Sequence, residues 1–512
     1  MLDSEVKQSR EDPPQENGAS LWSISLILFA LSLIFALTVQ TYTDPDLWGH
    51  LQFGLDLVDA GVIVTNDPYS YVTAGQFWVN HEWLTEALMA AAWLPWEVSG
   101  LILLRLSVFG LTLALVAFHL VKILKLETLV VMFVLVITTL GLMPFTVTVR
   151  PQLFTFLLFA ATLLIIYLAE QRRYRWLWLM PLLVAAWVNL HGGFLAGCGI
   201  LGLWSIAHMA AERSSWRAVL PPLLASAAAT LVNPYGVHLL IFLLHTATGT
   251  RPEITDWQPL GISSFMGPVY LLTLAIALAA LYYSRRPRSF RLLGIFALCS
   301  LMPLVAVRHM PLMSLALAFL VSEHIGSTVA RFSRLQTSAQ RPAALSAVLF
   351  LIAAISIGIG VLRNSPTQIL LFDAPRYPDA AVKLLQTNKV SGNLATHFNW
   401  GEYLIWHLGP ELRVSIDGRR ETVYTPAIYT MNQNFAAGFS EWDQLLREYP
   451  TDLALVHAGG PTANLLKLYP GWSLVYEDEV SALFVNDASA VAETVRRAAV
   501  NFVAPPPQKF FP

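Results

Sequence analysis

Eleven runs of apolar residues, each close to the length a helix needs to cross the hydrocarbon layer of a membrane, dominate the chain, and no water-soluble core encloses so many. They lie near residues 21–40, 98–121, 127–145, 152–170, 176–190, 193–211, 217–233, 264–283, 291–307, 310–327 and 343–362. With 55% of residues hydrophobic and 13% charged, the composition is far from the roughly one quarter charged residues of soluble domains. The expected architecture is a polytopic α-helical membrane protein of about eleven spans. A net charge of −2 supplies no basic stripe, so no nucleic-acid partner is expected. Cys198 and Cys299 both fall inside apolar runs, which leaves neither a disulfide framework nor a cysteine-based metal site.

Basic residues set the expected orientation, because short cytoplasmic connections collect Lys and Arg. Alternate connections hold Lys122 and Lys125, then Arg172, Arg173 and Arg175, then Arg213 and Arg217, then Arg285, Arg286, Arg288 and Arg291, then Arg331, Arg334 and Arg341. This predicts a cell (inner) membrane protein with a cytoplasmic N terminus and its acidic connections on the outer face. Residues 1–20 read as a disordered cytoplasmic tail, followed by an uncleaved anchor rather than a signal peptide. The membrane body, 21–362, then delivers 363–503 to the outer side. There, β-rich runs (Asn393–His397, Arg413–Asp417, Asp452–His457, Trp472–Glu477, Ala482–Val485) alternate with helical stretches (Trp442–Tyr449, Ala488–Ala498), the pattern of a small α/β domain. The Pro-rich end, 504–512, is expected to fray.

The first outer connection, 41–97, is unusually long for a loop, and from Asp44 to Glu86 it contains no Lys or Arg. Asp44 and Asp46 flank Pro45, and paired carboxylates can divide into a general base and a metal-holding or orienting group. Asp46 is equally well placed to cap the helix that Leu47, Trp48, Leu51, Phe53, Leu55, Leu57 and Val58 predict, lying in the interface with its apolar side toward lipid or bundle. Trp48 and His50 on that helix, and His81 and Glu82 ahead of Trp83, are candidate acceptor contacts, with Asn189 and His191 beside Gly192 and Gly193. The last two could also be ordinary turn formers. His81–Thr85 lacks the second histidine of a zinc-protease helix, which excludes that class.

Arg150 and Arg308, the latter followed by His309, stand at outward ends of spans, where guanidinium groups suit a phosphate. The alternative is an ion pair with the first-loop carboxylates, or snorkelling; Arg105, inside a span, reads as a paired or snorkelling residue. In the outer domain, Trp400, Glu402, Tyr403, Asp417 and Arg419 form a dense aromatic and charged stretch. It would either contact a ligand at the strand ends or dock the domain on the membrane portion.

With DPDLWGH, VNHEWL, VRPQ, NLHGG, VRHMP and SIDGRRE in this arrangement, the chain resembles the GT-C superfamily of membrane glycosyltransferases. The likeness is to protein mannosyltransferases and aminoarabinose transferases, and to a bacterial branch that shares these short motifs. The resemblance implies inverting sugar transfer from a polyprenyl-phosphate-linked donor to a glycan, lipid or protein acceptor at the outer membrane face. It maps the essential acid onto Asp44 or Asp46. The expected division makes Asp44 the base, Arg308 and Arg150 the phosphate ligands, and Asp46, Glu82 and His81 the groups that orient acceptor or metal. Some members use a divalent metal and others none, so Mg or Mn at Asp46 is admitted but not required. The acids are spaced by proline rather than adjacent as in mannosyltransferases, and the WWDYG motif of oligosaccharyltransferases is absent. The rival classes are a transporter or flippase for a lipid-linked or anionic substrate, usually built from repeats with midplane ionisable sites, and a non-catalytic membrane scaffold.

Overall fold

The computed structural model describes residues 21–248, 251, 254–333, 343–363, 367–371 and 377–512; the tail 1–20, Arg334 and Arg341 lie outside them. Helices stand at all the expected span positions. Among the described residues, eight are long and apolar enough to cross a membrane. The helices Met180–Leu190, Trp216–Ala229 and Phe290–Leu301 are shorter, at 11, 14 and 12 residues. Proline accounts for two of these limits: Pro181 at the first turn starts one helix, and Pro303 turns the end of another into a 3-10 segment. The connection 233–259 also contains a further apolar helix, Val237–Thr248.

The first helix, α1 (Leu21–Thr38), is followed by the two-residue strand β1 (Thr41–Tyr42), the helix α2 (Leu47–Ala60) and a turn-rich stretch that ends at Glu82. Helix α3 (Trp83–Phe118) therefore begins well before residue 98, which shortens the expected connection. Its path bends at Glu97, two residues after Pro95, where φ is 49°. Arg105 in α3 donates to the carbonyls of Thr38, Gln40 and Thr146, binding the free carbonyl ends of two helices rather than snorkelling.

The chain leaves the last spanning helix, Ala343–Arg363, through β2 (Ile369–Leu370), which pairs in parallel with β1. The carboxy-terminal domain is a five-stranded sheet of β3 (Gly392–Thr396), β4 (Leu412–Val414), β5 (Leu453–His457), β6 (Trp472–Glu477) and β7 (Ser481–Asn486) in the order β4-β3-β5-β7-β6. β3, β4 and β5 run parallel, and β7 is antiparallel to β5 and β6. Strand alternation sends Leu394, Leu453, Leu455, Leu483 and Val485 to one face and Ala395, Ala454, Val456, Ala482 and Phe484 to the other. The sheet is mixed, and both of its faces are covered.

One expectation is settled between its alternatives where the domain meets the membrane body, and another fails. The apolar side of α2 faces protein rather than lipid: Leu47, Trp48, Leu51 and Phe53 are buried in one core with Met89 and Leu101 of α3 and with Leu394, Trp400 and Tyr403 of the carboxy-terminal domain. An apolar stripe reads the same in sequence whether lipid or protein covers it. The Pro-rich end has no regular structure but is not frayed. Phe511 is buried against Trp48 and Trp93, and its amide and that of Leu371 pair with the carbonyls of Ile369 and Lys509. Buried aromatic area and satisfied backbone groups outweigh the chain entropy that loosens most termini.

Candidate active site

Asp44 and Asp46 sit where β1 gives way to α2. The Asp44 carboxylate is buried and fully engaged: Oδ1 accepts from the Asp46 amide at 3.1 Å and Oδ2 meets Arg150 Nε at 2.9 Å. Asp46 precedes α2 but makes no side-chain capping bond, so the capping alternative does not describe it. Its side chain is 35% exposed and lies 3.7 Å from the Arg150 guanidinium, which also binds Asp256 at 3.0 Å. Burial and the nearby Asp44 charge, opposed by Arg150 and His50, push the Asp46 carboxyl up to about 7. Arg150 thus forms the ion pairs offered above as its alternative, and Asp256 is a partner that the sequence reading missed.

A second cluster adjoins the first. His50 Nδ1 lies 3.0 Å from Glu86 Oε1, and Asn80 Nδ2 donates to Glu86 Oε2 at 2.5 Å. Burial works against the His50 proton, but the hydrogen bond to Glu86 and the charges of Glu82, Glu86 and Asp46 outweigh it and lift the ring to about 9. His50 is therefore an imidazolium at neutral pH. Glu82 faces His81, His191 and His50 at 3.7, 3.6 and 3.9 Å. Burial would raise its carboxyl, yet these rings and Arg308 hold it below the usual range. His191 is pushed by burial down to about 3 and is neutral. Its Nδ1 accepts from the Gly193 amide and contacts Thr155 Oγ1, so the ring proton sits on Nε2, facing Glu82.

Arg308 stacks over Trp257 at 4.6 Å and forms no ion pair among the described residues. Arg251 covers the same indole at 3.8 Å and pairs with Glu421. Beside Asp44, Arg150 and Asp256 opens a cavity of about 440 Å³ whose other walls include Phe145, Phe265, Met266 and Val307. One end is charged and the rest largely apolar, a shape for an amphiphile.

Other expected contacts are structural. Trp48 is fully buried among Tyr377, Tyr403 and Phe511, and no substrate reaches it. Asn189 spends its amide on the carbonyls of Ala185 and Val232 and accepts from Trp83 Nε1. His309 Nδ1 lies 3.2 Å from the Met302 carbonyl. Trp400 and Tyr403 are core residues, the latter donating to Asp379. Arg419 joins the two parts of the molecule, donating to Asp417 at 2.7 and 2.8 Å and to Asp67 at 2.7 Å. Tyr424 adds a bond to Asp417, and the Phe53, Tyr69 and Trp78 rings surround the guanidinium. Of the two readings for Asp417 and Arg419, this is the docking network.

A divalent ion fits this donor set poorly. Among the described residues no group of three His, Cys, Asp or Glu side chains converges on one point. At Asp46 a cation would meet the Arg150 guanidinium, and His191 presents a proton, not a lone pair, toward Glu82. No step below is routed through a metal.

The chain thus combines an acidic first connection, folded beneath a carboxy-terminal α/β domain, with a multi-helix membrane body. The solved structure of ArnT from Cupriavidus metallidurans bound to undecaprenyl phosphate is similar over 92% of this chain and 99% of its own, at 12% identity and a TM-score of 0.50. The apo form of the same enzyme is similar over 91% and 98%, at 11% identity and 0.51. No family model matches the chain, and no curated protein matches it. At these identities the likeness is one of fold.

Proposed function

We propose that the protein is an inverting glycosyltransferase that takes a sugar from a polyprenyl-phosphate-linked donor and passes it to an acceptor hydroxyl at the membrane face bearing the carboxy-terminal domain. The distribution of Lys and Arg supports an outward position for that face. The observation that carries the reading is the cavity charged at one end, by Asp44, Arg150 and Asp256, and largely apolar along the rest, with the Asp46 carboxylate 3.7 Å from the Arg150 guanidinium. That ArnT has been solved with undecaprenyl phosphate agrees with it.

In this mechanism the prenyl chain follows the apolar wall and the donor phosphate lies against Arg308, with Arg150 behind it. Asp46 takes the proton of the acceptor hydroxyl as its oxygen bonds to the anomeric carbon. The bond from that carbon to the phosphate oxygen breaks, and its electron pair leaves with the polyprenyl phosphate. Arginine stabilises the developing charge, so no acid catalyst is needed at the leaving group. This gives the base to Asp46 rather than to Asp44, whose oxygens are already committed to Arg150 and to the backbone. A carboxyl poised near neutral pH is suited to general base catalysis.

The test is turnover of a panel of undecaprenyl-phosphate-linked sugars by protein in lipid nanodiscs. Loss of transfer in Asp46→Asn with donor binding intact is expected. If no donor binds or turns over, or if Asp46→Asn and Asp44→Asn both match wild type, the reading is abandoned. Loss confined to Asp44→Asn would return the base to that residue.

A further inference from the structure

Glu402 belongs to the carboxy-terminal domain, in the first turn of the helix Gly401–Leu408, yet its carboxyl group lies beside Asp46. Two glycines admit it. A Cβ at Gly49 on α2 would collide with Glu402 Oε2, and a Cβ at Gly418, in the turn after β4, would lie 2.6 Å from both Glu402 Oε1 and Asp46 Oδ1. Glycine here serves close approach rather than an unusual backbone angle. The residue is 4% exposed, and Oε2 has no hydrogen-bond partner among the described residues. A charged carboxylate so placed would lack both water and a donor.

We propose that Glu402 is an acceptor-binding residue lent to the site by the carboxy-terminal domain: a neutral carboxylic acid that, with the Asp46 carboxylate, grips the hydroxyl group to be glycosylated in the gap above Gly418. The inference rests on the transfer reading above and goes beyond it by naming the acceptor chemistry. A hydroxyl is one donor and one acceptor. Asp46 offers only acceptance and an un-ionised Glu402 offers a proton, so the pair is matched to it. An ammonium finds no use for a donor.

The surroundings keep the acid neutral. Burial comes first, and the charges of Asp46, Asp417 and Asp44 add to it against Arg419, so its carboxyl is held well above the ordinary range.

Two readouts test this. The first is the infrared spectrum of wild type minus Glu402→Gln in nanodiscs, which should contain a carboxylic-acid carbonyl band at neutral pH. That band should shift when glycerol is added as a small hydroxyl probe, and stay unmoved in Gly418→Ala, where the gap is filled. The second is sugar transfer to glycerol. Wild type should lose activity as alkaline pH ionises Glu402, whatever activity Glu402→Gln retains should lack that alkaline loss, and Glu402→Leu should raise the KM for glycerol roughly tenfold with donor binding unchanged. Absence of the band, a band indifferent to glycerol, or equal behaviour of the Gln and Leu variants overturns the proposal. If wild type turns over no donor at all, the transfer reading fails, while the band and its response still decide whether Glu402 is a neutral hydroxyl ligand.

Discussion

The molecule buries arginine against carboxylates in two neighbouring places, and the two are finished differently. Around Arg419, two carboxylates accept from the guanidinium, three aromatic rings enclose it, and the Tyr424 hydroxyl donates to Asp417. Around Asp46, the accounts stay open. Among the described residues Arg308 has a ring to lie on but no ion pair, Glu402 has an oxygen without a donor, and Asp46 is left a third exposed. Completed networks hold parts together; incomplete ones wait for a ligand.

That contrast can be broken by substitution. Arg419→Ala strips a buried pair of its cation and should cost about 3–5 kcal/mol, seen as a lower melting temperature and early proteolysis between residues 363 and 391. Asp46→Asn should leave the melting temperature nearly unchanged while lowering transfer by about 10²- to 10⁴-fold. Arg308→Ala should weaken donor binding by roughly ten- to a hundredfold, the worth of a hydrogen bond to a charged group, again with little loss of stability. Should Arg308→Ala unfold the protein, the open network would prove structural after all.

The acid limb of the pH profile sharpens the comparison further. Protonation of Asp46 removes the base, so kcat/KM should fall as pH drops through about 7. Asp44→Asn removes a like charge that raises the Asp46 carboxyl and strengthens the pull of Arg150 on it, so the limb should move to lower pH. An unmoved limb would mean that another group titrates there. The smallest change expected is with EDTA, which should leave the rate of transfer as it was, measured in the same assay.

The parts of this that could be read from sequence are those set by local pattern. The five strands of the carboxy-terminal domain lie within a few residues of their β-rich runs, since alternation and turn residues are local signals. The membrane helices followed their apolar runs, except where proline shortened them. Asp44, Asp46, His81 and Glu82 were visible as charge in a segment without bases. What stayed hidden depends on distant parts meeting. Asp256 and Trp257 lie in a connection whose only mark was charge on the side poor in bases, and Thr155 is an ordinary polar residue in an apolar run. Glu402 gains its place only because Gly49 and Gly418 leave room for it, and no spacing rule links those positions. An aromatic residue on an amphipathic helix, such as Trp48, has the same appearance in sequence whether it contacts a ligand or lies beneath another domain.

The stitching of β1 to β2 bears on how the protein is made. Thr43 donates its hydroxyl proton to the carbonyl of Leu370, 327 residues further along the chain, and the neighbouring strands pair across the same separation. Contacts of such long range form late. During synthesis the first acidic segment emerges early and must remain without its cover while the whole membrane body inserts. A chain stopped partway would carry Asp44 and Asp46 but neither the roof over α2 nor the Glu402 side chain. The surroundings of Asp46 are therefore completed only as the carboxy-terminal domain comes down upon them.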